Sequence, residues 1–265
     1  MTPPRVVAVD LDGTVLRPDK SVSARTRAAL DRARAAGARV VAVTARPPRS
    51  VDLLVAATGL AGLAVCSNGA IVQDLDAGTA RILHPLPLDV AERAALAVAA
   101  ALPGAGFAVE TGWRVLCEPA YGHHGTLDPS RIPVDSVARL WAEAESAVKL
   151  LVWAPDTGVD PALELLRAVP GIACTHSGAP GVLEISAAGV SKAATLAELC
   201  AGWGVAPGEV LAFGDMPNDL SVLRWAGTAY AMANAHPTVL SEVERHTASN
   251  ADDGVALVLE EYFGR

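Results

Sequence analysis

From residue 5 to residue 9 the chain passes through four consecutive apolar residues with no polar alternation, which suits a strand buried on both faces of a parallel sheet. The pattern recurs. Ser23 is placed to cap a helix over residues 24–36, Gly37 to end it, and residues 40–43 read as the next buried strand. Residues 51–57 then read as helix and Leu63–Cys66 as a third strand. A β-α-β-α-β order implies right-handed crossovers, and hence an α/β fold with a doubly wound, Rossmann-like parallel sheet.

After Asn68 the rhythm changes. Residues 70–73 and 82–83 read as a short hairpin, and prolines from Pro85 to Pro155 punctuate a run of shorter elements. Within it, residues 90–101 and 161–168 are helical in pattern, and residues 107–110, 115–117 and 148–153 are strand-like, which together make an α+β module. From Val182 the first rhythm returns, with helices over 192–199, 220–225 and 255–262 and strands at 210–213 and near Tyr230. The expected division is a core of residues 1–84 and 182–265 around an inserted α+β domain of residues 85–181.

A chain of 265 residues can build one large core or two smaller ones without staples. With 51% hydrophobic and 19% charged residues it is not a disordered chain. Its 21 basic and 29 acidic side chains give a formal charge of −8, which argues against nucleic acid or an anionic membrane as a partner. Cys66, Cys117, Cys174 and Cys200 lack the spacing of a zinc site or a disulfide framework. The first apolar run meets Asp10 and Asp12 too soon for a secretory segment, so a cytoplasmic location is expected. Residues 53–73 carry no charge over about the length of a membrane span, but Gly59, Gly62 and the Ser67-Asn68-Gly69 turn break them into shorter elements.

Chemistry-bearing residues gather where parallel strands end, the edge at which α/β folds place ligands. Asp10-Leu11-Asp12-Gly13-Thr14 follows the first strand, with two carboxylates two residues apart and a glycine free to turn. Thr44-Ala45-Arg46 follows the second, and Lys192 opens a helix after Gly189-Val190-Ser191. Gly214-Asp215-Met216-Pro217-Asn218-Asp219 follows a further buried strand. Singly, each also reads as turn or capping chemistry. Together they crowd acids at one sheet edge, where two unit charges 4 Å apart repel by about 4 kcal/mol at an effective dielectric of 20. Oxygen-only ligands of this kind suit Mg²⁺.

In order and spacing these four motifs resemble the haloacid dehalogenase-like phosphohydrolases, and the resemblance spans essentially the whole chain. The long insert, with Ser67-Asn68-Gly69 before it and Leu183-Glu184-Ile185 before Lys192, is similar to the Cof-type subfamily with a type IIB cap. The resemblance implies that Asp10 is the nucleophile, forming an aspartyl phosphate, and that Asp12 acts first as acid and then as base. It further implies Mg²⁺ held by the carboxylates of Asp10 and Asp215 and the backbone carbonyl of Asp12. Thr44 and Lys192 would bind the phosphoryl oxygens with the backbone N–H groups of Leu11 and Ala45, and Asn218 would add a hydrogen bond. Asp219 would orient Lys192 or a metal-bound water, and Arg46 and Asn68 lie near the crevice by connectivity. In the cap, Trp113 and Tyr121 are candidates for substrate selection, while the pair His123-His124, flanked by Gly122 and Gly125, reads as a solvent-exposed loop.

The function so implied is a Mg²⁺-dependent phosphatase of a small phosphorylated metabolite, foremost a sugar or polyol phosphate. A phosphosugar mutase or phosphotransferase of the same superfamily and a non-catalytic phosphometabolite sensor remain alternatives. A receiver-like signalling module is disfavoured by the hundred-residue insert and by the second acid at Asp12. A dinucleotide enzyme fails because Asp10 to Thr14 stand where G-x-G-x-x-G should open the first helix. The sequence leaves the oligomeric state open.

Overall fold

The computed structural model describes residues 2–122, 130–157, 159–166 and 169–264. The first strands are β1 (Val6–Val9), β2 (Arg39–Val43), β3 (Leu63–Cys66), β4 (Ile71–Asp74) and β5 (Thr79–Ile82). A second series follows: β6 (Gly106–Glu110), β7 (Val115–Cys117), β8 (Arg131–Pro133), β9 (Lys149–Trp153), β10 (Ile172–Thr175) and β11 (Val182–Ala187). The chain then returns through β12 (Val210–Gly214), β13 (Thr228–Met232) and β14 (His246–Thr247).

Two sheets result among the described residues. The larger has the order β14-β13-β12-β1-β2-β3-β4-β5, parallel from β14 to β3 and antiparallel at β4 and β5. Val6 to Val9 are fully buried because the sheet is covered on both faces, which is why they show no alternation. One of the covering helices, Ala24–Ala35, is capped as expected: the Ser23 side chain accepts from the Thr26 N–H. The helix Pro48–Thr58 begins three residues before the apolar pattern does, since Pro48 suits a first helical turn, where its missing N–H has no partner to lose.

The second sheet has the order β10-β11-β9-β6-β7-β8 and its own apolar core around Leu140, Leu150, Val152 and Leu183. Here the structure corrects an expectation. Val182–Ala187, assigned from sequence to the parallel core, pairs antiparallel with β9 (Val182 opposite Trp153) and with β10 (Thr175 opposite Glu184). Leu183 and Ile185 alternate with Glu184 and Ser186, and both kinds are buried, so the pattern marks a strand without choosing its partner. Residues 167 and 168, at the end of the expected helix 161–168, lie outside the described residues, and the helix there is Val159–Leu166. No helix among the described residues is long and apolar enough to cross a membrane.

Candidate active site

The carboxyl ends of β1, β2 and β12 meet at one edge of the large sheet. After β1 the chain turns tightly: Thr14 N–H donates to the Leu11 carbonyl, Val15 N–H to that of Asp10, and Gly13 takes φ 76°. This turn delivers the Thr14 hydroxyl to Asp215 Oδ1 at 3.0 Å, across 201 residues of sequence. After β12 the Asp219 carboxylate closes its own loop, Oδ2 accepting from the N–H groups of Asp215 (3.0 Å) and Met216 (2.9 Å).

One carboxylate oxygen from each of Asp10, Asp215 and Asp219 lies within 4.8 Å of the others, and all three residues are buried. Lys192 lies among them, only 1% exposed, with Nζ donating to Asp10 Oδ1 at 2.7 Å and to Asp219 Oδ1 at 2.6 Å. Thus three acids share one ammonium. Burial pushes the Asp215 carboxyl up to about 7, with Asp219 adding to the rise and the Thr14 hydrogen bond opposing it. Burial likewise holds Asp10 well above the usual carboxylate range despite the opposing charge of Lys192. Burial alone would depress the Lys192 ammonium, but Asp10 and Asp219 overcome it and raise its pKa.

Thr44 is 1% exposed, and its Oγ1 accepts the Arg46 N–H at 3.1 Å. The loops after β2 and β3 are tied together, Ser67 N–H donating to the Arg46 carbonyl and Asn68 N–H to that of Thr44. Asp10, Asp12, Thr44, Ala45 and Asn218 all border a cavity of about 510 Å³, and Leu11, between two of them in sequence, is fully buried. Arg49, Glu110, Tyr121 and Lys149 line the same cavity. Arg49 grips Glu110 through two bonds of 2.7 Å each, while Trp113 is half exposed. His123 and His124 lie outside the described residues.

Asp12 stands apart from the buried trio. Its carboxylate takes a two-pronged contact from Arg46 (Nε to Oδ2 2.5 Å, Nη2 to Oδ1 2.7 Å) and a third bond from Lys20 at 2.8 Å. Burial would raise its pKa, but the bonds and charges of Arg46 and Lys20 prevail and bring it to about 2. Arg46 therefore has a definite partner at the site, and Lys20 is a participant that the sequence did not single out.

The family model for haloacid dehalogenase-like hydrolases matches residues 7–259. The chain belongs to that family. It is 30% identical over 274 residues to the 5-amino-6-(5-phospho-D-ribitylamino)uracil phosphatase YitU of Bacillus subtilis, covering 99% of this chain and 98% of the relative. To the pyridoxal phosphate phosphatase YbhA of Escherichia coli it is 29% identical, covering 95% and 96% of the two chains. Among solved structures, SMU.1108c of Streptococcus mutans superposes with a TM-score of 0.85 at 22% identity, covering 99% and 100%. The subclass IIB sugar phosphatase BT4131 shares the fold at a TM-score of 0.79 and 19% identity, covering 97% and 98%. The named relatives are phosphatases, and this member of the haloacid dehalogenase-like hydrolases is an enzyme of that class.

Within this phosphatase Gly13 has a specific demand on it. A Cβ there would stand 2.1 Å from Asp215 Oδ2, on backbone at φ 76° that side chains rarely adopt. Gly13→Ala is expected to displace the Asp215 carboxylate and to lower kcat/KM about 100-fold, since a misplacement of 1 Å can cost that much. Initial rates on p-nitrophenyl phosphate check this, and a variant within three-fold of wild type would refute it.

The site also holds residues that sequence reading did not assign. Lys149 Nζ donates to the Ala45 carbonyl (2.9 Å) and to Glu184 Oε2 (3.0 Å), joining the second sheet to the loop after β2. A signal was present in each case: a charge set inside an otherwise apolar strand, as in Val148-Lys149-Leu150 and Leu183-Glu184-Ile185, must find a buried partner.

Proposed function

We propose that this protein is a Mg²⁺-dependent phosphomonoesterase that works through an aspartyl phosphate on Asp10. The observation that carries the reading is the buried trio Asp10, Asp215 and Asp219 with Lys192 bonded to two of its members. The donor set fits a hard divalent cation: all the ligating atoms are oxygens, and the negative charge exceeds what Lys192 can balance. Asp10 and Asp215 would hold the ion together with the Asp12 backbone carbonyl. Bound there, Mg²⁺ supplies Lewis acidity that lets an anionic carboxylate approach an anionic phosphate.

In the proposed reaction an Asp10 carboxylate oxygen forms a bond to phosphorus while the bond to the leaving oxygen breaks. Asp12 gives that oxygen its proton, then takes one from the water that attacks the phosphoryl group and frees Asp10. Thr44, Lys192 and the backbone N–H groups of Leu11 and Ala45 bind the phosphoryl oxygens as charge builds on them. Asp12 is ionised while Arg46 and Lys20 hold it, so acid chemistry requires that grip to open. The entering phosphoryl group is the competing anion for Arg46.

The six-stranded sheet serves in this reading as the cap, and the wall it contributes selects the leaving group. That wall is polar, with Glu110 and Lys149 on it and Glu110 paired to Arg49 of the core helix Pro48–Thr58, and it suits a hydroxyl-rich leaving group such as a sugar or polyol phosphate. The ribityl phosphate named for the YitU relative is of this kind. The test is phosphate release from p-nitrophenyl phosphate and from a panel of sugar, polyol, nucleotide and cofactor phosphates, with Mg²⁺ and after chelation. Release that falls to background with the chelator and is fastest on polyol or sugar phosphates is expected. Release that ignores the chelator would overturn the metal requirement, and none from any compound would overturn the reading.

A further inference from the structure

Glu184 reaches from β11 into the edge of the phosphoryl site, 95% buried, and its carboxylate collects three donors. Lys149 Nζ and Asn68 Nδ2 both donate to Oε2, at 3.0 and 2.5 Å, and the Ser177 hydroxyl donates to Oε1. An ionised carboxylate only accepts hydrogen bonds. Burial alone would raise the Glu184 carboxyl, but Lys149 and these bonds hold it below its ordinary value, so it stays ionised.

That fixes the next residue. Asn68 must turn Nδ2 toward Glu184, which leaves its Oδ1 facing Asn218, and Asn218 Nδ2 donates to it at 3.1 Å. Asn218 Oδ1 is then the end left over. It is buried, and no partner for it exists among the described residues. Each amide is oriented by the one before, starting from a carboxylate that cannot flip its role. Asn218 borders the same cavity as Asp10 and Thr44.

We propose that Glu184 is a positioning residue of the phosphoryl site, setting through Asn68 which end of the Asn218 carboxamide is engaged and which, Oδ1, is left to meet substrate or water. Asn218 Nδ2 keeps one further N–H, so the orientation adds an acceptor beside the donor that the motif suggests. A free acceptor repels a phosphoryl oxygen and instead receives a hydrogen from water or from a hydroxyl. Stability does not account for the arrangement, since buried ion pairs such as Lys149–Glu184 are often replaceable by apolar residues without loss. Because Glu184 sits on the second sheet, the orientation of Asn218 depends on how that sheet seats against the core.

The inference rests on the phosphatase reading, and its test keeps the two separable. The variants are Lys149→Met/Glu184→Leu, which removes both charges together, Asn68→Gly, which suits the left-handed backbone at φ 56°, Glu184→Gln and Asn218→Ala. On p-nitrophenyl phosphate the charge-pair variant and Asn68→Gly are expected to lower kcat about 10- to 100-fold with KM nearly unchanged, the range usual for groups that orient a site. Adding Asn68→Gly to Asn218→Ala should cost nothing further, because it acts through that side chain, whereas the charge-pair variant also gives up the Lys149 bond to the Ala45 carbonyl. Glu184→Gln should recover most of the loss, its amide oxygen accepting from Asn68. Losses that multiply, or a kcat unmoved in the charge-pair variant, would overturn the proposal.

A second readout does not depend on turnover. The Asn218 side-chain amide signals in a ¹⁵N–¹H spectrum, assigned by their loss in Asn218→Ala, should move in the charge-pair variant and return in Glu184→Gln. Signals that stay in place would overturn the positioning role even if the wild-type enzyme turned over well. If wild type releases no phosphate, the phosphatase reading fails, and this spectrum still decides the role of Glu184.

Discussion

Asp10→Asn is expected to slow phosphate release by about 10⁴-fold or more, because the amide removes the attacking oxygen and no neighbour can stand in for a covalent nucleophile. Asp219, the other acid bonded to Lys192, has its second oxygen committed to the N–H groups of Asp215 and Met216. Asp12 is turned toward Arg46 and Lys20. The fold should survive, since the change removes a buried charge and keeps a side chain of nearly the same shape beside Lys192. Initial rates on p-nitrophenyl phosphate and on the best substrate of the panel measure the effect. Trapping of labelled phosphate on wild type and not on the variant would locate the intermediate. A variant that keeps more than about 1% of wild-type kcat would rule out Asp10 as nucleophile.

Asp215→Asn is expected to do two opposite things: abolish Mg²⁺-dependent turnover and raise the melting temperature of the cation-free protein at neutral pH. A carboxyl whose pKa is raised by folding, here from 3.8 to about 7, binds its proton more tightly in the folded than in the unfolded state. Stability is therefore lost as pH rises from about 4 to about 7, by an amount on the order of 4 kcal/mol if each pKa unit is worth 1.36 kcal/mol. The asparagine carries no charge to desolvate, so the variant should escape that loss and melt several degrees higher above pH 7. At pH 4, where the wild-type carboxyl is protonated in the fold, the difference should shrink. Melting curves across pH in the presence of chelator test this. A variant less stable than wild type at pH 8, or a gap that widens toward acid, would show that Asp215 does not carry the excess charge. Added Mg²⁺ should stabilise wild type and leave the variant nearly unmoved.

Much of the architecture was written in local pattern. Val6 to Val9 are apolar at every position because helices cover both faces of their sheet, and that covering is itself the mark of parallel crossovers. Ser23 capped the helix it preceded, and the motifs after β1, β2 and β12 came together because parallel strands end on the same edge. Asp10, Thr44, Asp215 and Asn218 were readable for that reason, whereas Lys192 opens a helix after the antiparallel β11 and was readable only through the motif order.

What tertiary structure alone decided were partnerships between side chains distant in sequence. Arg46 closes on Asp12 from 34 residues away, Thr14 on Asp215 from 201, and Asn68 on Glu184 from 116. Local pattern reports whether a residue will be buried, not whom it will meet there. The same limit misplaced Val182–Ala187, whose alternation marks a strand but names no neighbour, and it was equally at home in either sheet until β9 and β10 paired with it. Hydrophobic burial is non-directional and is encoded residue by residue, whereas a hydrogen bond or ion pair needs two groups within about 3 Å, a condition that only the packed fold can meet.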